Sequence, residues 1–385
     1  MQRLARTEEI LAQLVGFPTV SCDSNRACIA YVAEQLEAAG ARVEILPDES
    51  GHKANLLATI GPDRPGGLML SAHSDVVPVT DQIWQSDPFT LLARNDALYG
   101  RGTCDMKGFL AATLAMAPHF ADLPLKRPIH YAITYDEEIG CFGAQHLARI
   151  LESRPIRPAQ ALIGEPTEMQ VIDAHKGCFE YTTIISGLEG HGSMPDLGVN
   201  AAEYAARFVS ALVRLKQQLK SACPPDSPFD PPWTTINTGA LTGGQAHNVI
   251  PGTAQIDWEM RPVQRVDALH VKQTLQTLCE EELLPEMRAV CPQADIVTTA
   301  LAEVDGLNAM TQNPLRDTLL AITGQNGAST VPFGTEAGIY QALGMDVVVC
   351  GPGSIAQAHK PDEFITHSQL SLCLDLLEQL AQRLT

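Results

Sequence analysis

Long apolar runs are missing from this 385-residue chain: none approaches the ~20 residues needed to span a bilayer, which excludes a helical membrane protein. The first stretch, Met1 to Gly16, is charged and sets Leu4, Ile10, Leu11, Leu14 and Val15 at roughly helical spacing. It has neither the apolar core nor the cleavage site of a secretory signal. Ten cysteines are scattered without a single Cys-x-x-Cys pair, which argues against a disulfide framework and for reduced thiols. Basic residues are scarce. With 26 Lys and Arg against 45 Asp and Glu, the formal net charge is −19, and the basic stripe that neutralises phosphates is absent. Internal repeats and low-complexity segments are absent too. The expectation is a cytoplasmic protein that acts on a small molecule and binds neither nucleic acid nor membrane. At this length, 45% hydrophobic content fills two cores.

Up to about Lys176, short apolar runs alternate with helical patterns. Asn55–Ile60, Gly67–Ala72, Ile129–Tyr135 and Ala161–Ile163 read as strands, the last three apolar enough to be buried on both faces. Cys28–Ala39, Gly108–Met116 and Gly143–Leu151 read as helices. The alternation predicts an α/β fold with a central sheet flanked by helices. The texture then changes. Strand-like Glu180–Ser186, helical Asn200–Leu219, strand-like Thr234–Ala240 and Thr253–Met260, helical Val266–Ala289 and extended Asp295–Ala302 follow one another. This β-α-β-β-α-β order is ferredoxin-like. From about Leu307 the first texture returns, with helix Pro314–Thr323, strand Asp346–Cys350 and a last helix from Ser368. A ferredoxin-like α+β domain, residues 178–304, is therefore inserted into a large one made of residues 1–177 and 305–385.

Five metal-ligand residue types each sit in a motif of their own. His73 lies in His73-Ser74-Asp75, Asp105 in a Gly-rich turn bounded by Gly102 and Gly108, and Glu138 in Asp136-Glu137-Glu138. Glu165 lies in Gly164-Glu165-Pro166-Thr167 and His359 in Ala358-His359-Lys360-Pro361. Taken singly, each has an ordinary reading: a strand-end histidine, a turn aspartate, a solvated acidic pair, a surface histidine. Three of the motifs, however, fall just past the ends of apolar strands, where open α/β sheets bind ligands. Adjacent acids such as Glu137 and Glu138 are costly at a partly buried strand end unless a cation is present. Splitting that pair leaves one ligand and one carboxylate free to move a proton. Asp75 is placed to accept the other N–H of His73. Two imidazoles with three carboxylates suit a pair of Zn²⁺ ions, with Co²⁺ a replacement suited to the same N/O donors. Such a pair lowers the pKa of a trapped water and polarises a carbonyl, as amide hydrolysis requires.

The ordered set resembles the di-zinc aminoacylase/carboxypeptidase family of metallopeptidases, over essentially the whole chain. That resemblance implies a catalytic domain in which His73 and Glu165 hold one metal, Glu138 and His359 the other, and Asp105 bridges them. It further implies that Asp75 orients His73, that Glu137 is the general base, and that the Asp105–Met106 peptide is cis. The inserted domain would be a lid and dimerisation domain. Its Gly187-x-x-x-His191-x-x-x-Pro195 element matches one that delivers a histidine to the partner subunit's site in a homodimer. Asn248, in Asn248-Val249-Ile250-Pro251, and Arg261 match substrate-binding positions.

Three runs look like the acetylornithine-deacetylating branch: Glu137 to Ala144, Ala174-His175-Lys176-Gly177, and Gly351 to Ser354 leading into Ala358 to Glu363. The run Gly334-Thr335-Glu336-Ala337 departs from the succinyl-diaminopimelate desuccinylases; Gly334, Thr335 and Glu336 are expected at the substrate, Glu336 facing its ammonium. The reaction implied is removal of acetate from N2-acetyl-L-ornithine, giving L-ornithine for arginine synthesis. A desuccinylase, a general N-acyl-amino-acid deacylase or a peptidase of the same family is the rival. A non-catalytic metal- or ligand-binding protein is the rival of another class, and the spare carboxylate of Glu137 argues against it.

Overall fold

The fold is described from a computed structural model that covers residues 2–21 and 23–385; Met1 and Cys22 lie outside the described residues. The chain divides into two compact units. One comprises everything up to Ala174 together with Leu307–Val331 and Thr335–Thr385; the other is His175–Gly306 with Pro332–Gly334. Among the described residues no helix is long and apolar enough to cross a membrane, and the described cysteines are free thiols.

The first unit is built on an eight-stranded mixed sheet. Its order is Arg42–Pro47, Ala54–Ile60, Ile129–Thr134, Leu68–His73, Gln160–Pro166, Asp346–Gly351, Ile172–His175 and Ser329–Val331. The four central neighbours, from Ile129–Thr134 to Asp346–Gly351, run parallel. Ala54–Ile60 and Arg42–Pro47 add antiparallel strands at one side. Continuous burial of Leu68–His73 and Ile129–Thr134 reflects helices on both faces, so these strands are apolar without alternation. Helix Gly108–Asp122 lies in the middle of the core, with Phe109, Leu110, Leu114, Met116 and Phe120 all buried. The N-terminal helix, Gln2–Val15, buries Ile10, Leu11, Leu14 and Val15, the apolar stripe read from the sequence. Because the central strands are parallel, their C-terminal ends share one edge of the sheet. His73, the Asp136–Glu138 turn and Glu165 all emerge there.

The inserted unit has a four-stranded antiparallel sheet in the order Thr235–Gly243, Thr253–Arg261, Cys178–Ser186, Asp295–Val304. That is the ferredoxin-like order, with helix Ala201–Ser221 and helix Arg265–Thr277 filling the two crossovers. Its core holds a stack of Tyr181 on Trp258, centroids 4.4 Å apart, with Phe208 tilted against the indole.

Two helices differ from the sequence expectation. The helix expected to end at Met116 runs on through Pro118 to Asp122, because Ala117 and Phe120 continue the buried face and outweigh the hydrogen bond that Pro118 cannot make. Val266–Ala289 is helical throughout, as expected, but not uniformly α: Arg265–Thr277 and Leu284–Val290 are joined by a π-helical stretch over Leu278–Leu283, next to Pro285, which has no N–H to donate back. Short strands such as Arg42–Pro47, Ala97–Tyr99 and Phe364–Thr366 had no distinct periodicity to announce them.

Gly164, one residue before Glu165, packs under the ring of Phe109: a β-carbon there would lie 2.0 Å from the ring carbons. Gly164→Ala is expected to lose about 1–3 kcal/mol, the cost of overpacking a tight core. Gly327, where an added β-carbon meets nothing within 4 Å, is the control. Urea denaturation of the two metal-free variants checks the difference.

Candidate metal centre

Asp105 stands between two imidazoles. Its Oδ1 is 3.0 Å from His73 Nε2 and its Oδ2 is 3.4 Å from His359 Nε2. Glu165 Oε1 lies 3.6 Å from His73 Nε2 on one side, and Glu138 Oε2 lies 3.0 Å from His359 Nε2 on the other. The five expected ligands are thus together, with Asp105 presenting one oxygen to each half. Ligand atoms of His73, Asp105 and Glu138 fall within 4.8 Å of one another, as do those of His73, Glu137 and Glu165. His73, Asp105 and Glu165 are buried, whereas the His359 side chain is 54% exposed and marks the open side.

The supporting bonds differ from expectation at Asp75. His73 Nδ1 donates to the backbone carbonyl of Asp75 at 2.9 Å, and the Asp75 carboxylate is 3.6 Å away. The tautomer is still set, with Nδ1 protonated and Nε2 directed at the cluster, but a carbonyl does it. The carboxylate is occupied elsewhere. It accepts Ser21 Oγ–H at 2.7 Å and the N–H groups of Glu137 at 3.1 Å and Glu138 at 3.4 Å. Asp75 therefore fixes the turn that carries both glutamates. Lys53 holds the start of that turn by donating to the Asp136 carboxylate and to the Ser21 carbonyl.

Glu363 is a residue whose role the sequence did not reveal. It is 1% exposed, and its Oε1 accepts the N–H of Cys104 at 2.8 Å and of Asp105 at 3.0 Å. Its Oε2 accepts Gly102 N–H at 2.9 Å and the Arg101 guanidinium at 2.8 Å. Gly102 takes φ 81°, which lets the loop wrap around this carboxylate. The Asp105–Met106 peptide at the end of the loop is cis. In sequence, Glu363 closes the run from Ala358 that carries the resemblance, but nothing there assigns it a role, and a Pro-Asp-Glu turn reads locally as solvated.

Glu336 is corrected by the structure. Instead of facing a ligand's ammonium it is 1% exposed, and its carboxylate accepts hydroxyls from Ser71 and, at 2.9 Å, from Thr134. These lie on the strands leading to His73 and to the glutamate turn, so Glu336 ties the two strands together beneath the centre. Thr335 is also buried, its Oγ1 accepting the N–H of Ala337 at 3.1 Å.

The remaining expected positions belong to the inserted unit. His191 is exposed, its Nδ1 2.7 Å from Ser193 Oγ, and pairs in register with Val249, next to Asn248. Arg261 closes strand Thr253–Arg261, held by Glu259 at 2.9 Å. Gly334 is near it: a β-carbon there would lie 3.3 Å from Cys178, whose neighbour Phe179 pairs with Met260. Within this unit, then, His191 with Asn248 and Arg261 with Gly334 occupy opposite ends of a nine-residue strand.

The electrostatics are those of a cation site. Burial raises the Glu137 and Glu165 carboxyls well above the usual range, and neighbouring carboxylates add to the effect. Burial, then the field of Asp105, pushes Glu138 up to about 7. Hydrogen bonds with Asp105 and Glu138 raise His359 to about 10. Burial opposes a charged His73, but Asp105 and Glu165 outweigh it and hold its pKa high. Burial likewise opposes the Asp105 carboxylate, and the two histidines overcome it and keep its pKa low. Two imidazolium protons thus offset part of a concentration of buried negative charge. Glu165 Oε1 is buried with no hydrogen-bond donor. A carboxylate oxygen left without a partner among imidazole and carboxylate donors fits a pair of divalent cations.

Comparison with known proteins agrees with this geometry. The model for peptidase family M20/M25/M40 matches residues 69–383. An acetylornithine deacetylase of Proteus mirabilis (strain HI4320) is 36% identical over 382 residues, covering 97% of this chain and 95% of that protein. Among solved structures, an M20 family metallo-carboxypeptidase from Sulfolobus solfataricus superposes with a TM-score of 0.76 at 17% identity, covering 98% of each chain. The Bacillus subtilis YXEP protein, described as a dinuclear metal binding peptidase of the M20 family, gives 0.64 at 14% identity, covering 99% of this chain and 98% of that one.

Metal must compete with protons at this centre. The raised pKa values of His73, His359 and Glu138 mean that the metal-free site holds protons at neutral pH, and binding needs the deprotonated donors. Zinc binding at pH 7 is therefore expected to release protons, and apparent affinity to fall as pH is lowered. Calorimetric titration of zinc into metal-free protein, in buffers of different ionisation enthalpy, measures the release directly. Heats independent of buffer would contradict the expected proton balance.

Proposed function

The chain belongs to peptidase family M20/M25/M40, and from that premise we propose that it removes acetate from N2-acetyl-L-ornithine, leaving L-ornithine for arginine synthesis in the cytoplasm. The observation that carries the reading is Asp105 set between His73 and His359, with the Glu137 carboxylate close to His73 and Glu165. The likeness to an acetylornithine deacetylase over nearly the whole chain supports the choice of substrate. His73 and Glu165 would hold one metal, Glu138 and His359 the other, with Asp105 shared. When bound, a pair of Zn²⁺ ions, or Co²⁺ in their place, supplies water activation and carbonyl polarisation.

The chain's own groups do the rest. Glu137 takes the proton of the attacking water and passes it to the leaving amine. Burial keeps its proton affinity high, which suits a group that must first accept and then donate. Arg261, pre-oriented by Glu259, pairs with the substrate α-carboxylate.

His191 serves the other protomer of a homodimer formed through the inserted unit. At about 3.3 Å per residue, the nine-residue strand between Thr253 and Arg261 separates the His191 end from the Arg261 end by roughly 26 Å. A small acylated amino acid cannot reach both ends in one chain. If Arg261 binds substrate for its own centre, His191 and Asn248 come from a second chain. There the imidazole N–H meets the developing oxyanion, a contact worth about 2.7–4 kcal/mol where one donor has been removed.

Three experiments test this. On a panel of acetyl-, succinyl- and longer-acyl amino acids and small peptides, N2-acetyl-L-ornithine is expected to be turned over best. Glu137→Gln is expected to keep both metals and lose about 10²–10⁴-fold in kcat, whereas Glu138→Gln loses metal. Near-normal turnover by metal-loaded Glu137→Gln would refute the base assignment, and preference for a peptide or succinyl substrate would reassign the reaction.

The third test mixes His191→Ala and Glu137→Gln subunits under exchange. A mixed dimer with His191 acting in trans has one intact site and recovers part of the activity. Activity that stays at background places His191 in its own chain's site.

A further inference from the structure

The turn that carries Glu137 ends on an unexpected residue. Cys141 takes φ 53°, ψ 35°, the left-handed region, immediately before helix Phe142–Glu152. A β-carbon is disfavoured there relative to glycine, and residues held in such conformations persist where their surroundings require them. Helix capping does not account for the cysteine, since its side chain makes no cap bond to the helix. The thiol is turned back over the loop instead. Sγ lies 3.4 Å from Glu137 Oε1 and 3.7 Å from the Glu137 carbonyl oxygen, and the residue is 4% exposed.

The backbone of the turn is already fixed without it. Glu137 and Glu138 donate their N–H groups to Asp75, and the N–H groups of Gly140 and Cys141 both donate to the Glu137 carbonyl. Those bonds leave the Glu137 side chain free to rotate, and a base must present one oxygen to the reacting water in a set direction. The thiol adds a hydrogen bond to that carboxylate from the end of its own turn.

We propose that Cys141 is a positioning residue for Glu137: its S–H donates to Oε1, fixes the rotation of the carboxylate, and leaves Oε2 to take and return the proton. The inference rests on the reading of Glu137 as the base. A thiol suits the task because it is a weak, neutral donor. It restrains the carboxylate without the strong stabilisation of the charged form that a lysine or arginine would bring. At a left-handed position it also reaches back over a distance that a glycine, the conformationally preferred residue, cannot cover.

The test uses Cys141→Gly, Cys141→Ala and Cys141→Ser in the zinc-loaded enzyme, with the best substrate from the acyl-amino-acid panel. Metal content, urea midpoint, kcat and KM are measured for each. Cys141→Gly is expected to be at least as stable as Cys141→Ala, because glycine accepts the left-handed backbone. Both are expected to lose roughly tenfold in kcat, the rate equivalent of one modest hydrogen bond, with KM and metal content little changed. Cys141→Ser, which keeps a donor, recovers most of that loss. A merely structural cysteine would instead make kcat follow stability.

Wild-type kcat in the Gly and Ala variants overturns the proposal. So does a serine variant no better than alanine, or a loss that tracks metal content. Glu137→Gln run alongside separates the two readings. If it stays active with full metal, the base assignment itself fails; if it is inactive while the Cys141 variants are normal, only the positioning role fails.

Discussion

The carboxylate of Glu363 is the point on which the metal centre hangs. It collects the backbone N–H groups of Gly102, Cys104 and Asp105 and the guanidinium of Arg101, all in the protein interior. A buried charge is costly unless it is paired and its lone pairs are satisfied; here both conditions hold. The loop it closes has no regular backbone bonding at Asp105 (φ −121°, ψ 94°), so the ligand's position depends on this external anchor. Removing one partner of such a buried pair typically costs about 3–5 kcal/mol, because the other charge is left unpaired. Lys107, at the other end of the loop, is fully buried and donates to the carbonyls of Leu14 and Phe17, which ties the same loop to the N-terminal helix.

Around that anchor the centre is assembled from strand ends. Parallel neighbours bring their C-terminal ends to one edge, so His73, the Glu137–Glu138 turn and Glu165 converge without long loops. Bonds between strands then set the details. Asp75 joins the end of one strand to the turn after the next, and Glu336 ties the same two strands one layer below. His359 arrives from the far end of the chain in a left-handed conformation (φ 62°), four residues before Glu363. The loop that carries His359 thus also carries the anchor for Asp105. One consequence is that the centre cannot form until both segments of the first unit have folded together.

The inserted unit answers a different demand. Its sheet is antiparallel and packs against its own helices around its own aromatic core, which makes it a compact unit with a separate interior. The residues assigned to the substrate are divided between its two ends, with Arg261 and Gly334 at one and His191 and Asn248 at the other. A single sheet of this length separates tasks that one small substrate would need side by side.

The alternation of buried strands with helices, the ferredoxin-like order of the insert and the five side chains of metal-ligand type that the fold brings together were all legible in the residues. Each is written in local signals: apolar runs, turn glycines, and ligand types at strand ends. The chemistry of the centre followed for the same reason, since imidazoles and carboxylates carry their donor properties wherever they are placed. What needed the tertiary structure was every assignment that turns on a partner distant in sequence. Glu363 and Glu336 are both glutamates near motif residues, yet one anchors the loop of Asp105 and the other, expected at the substrate, is sealed between Ser71 and Thr134. Asp75 was expected to hold His73 with its carboxylate, and its carbonyl does so instead. Helix Gly108–Asp122 outran its proline because of the core it packs in. Burial and hydrogen-bond partnership are properties of the folded neighbourhood, so residue type and spacing alone could not decide them.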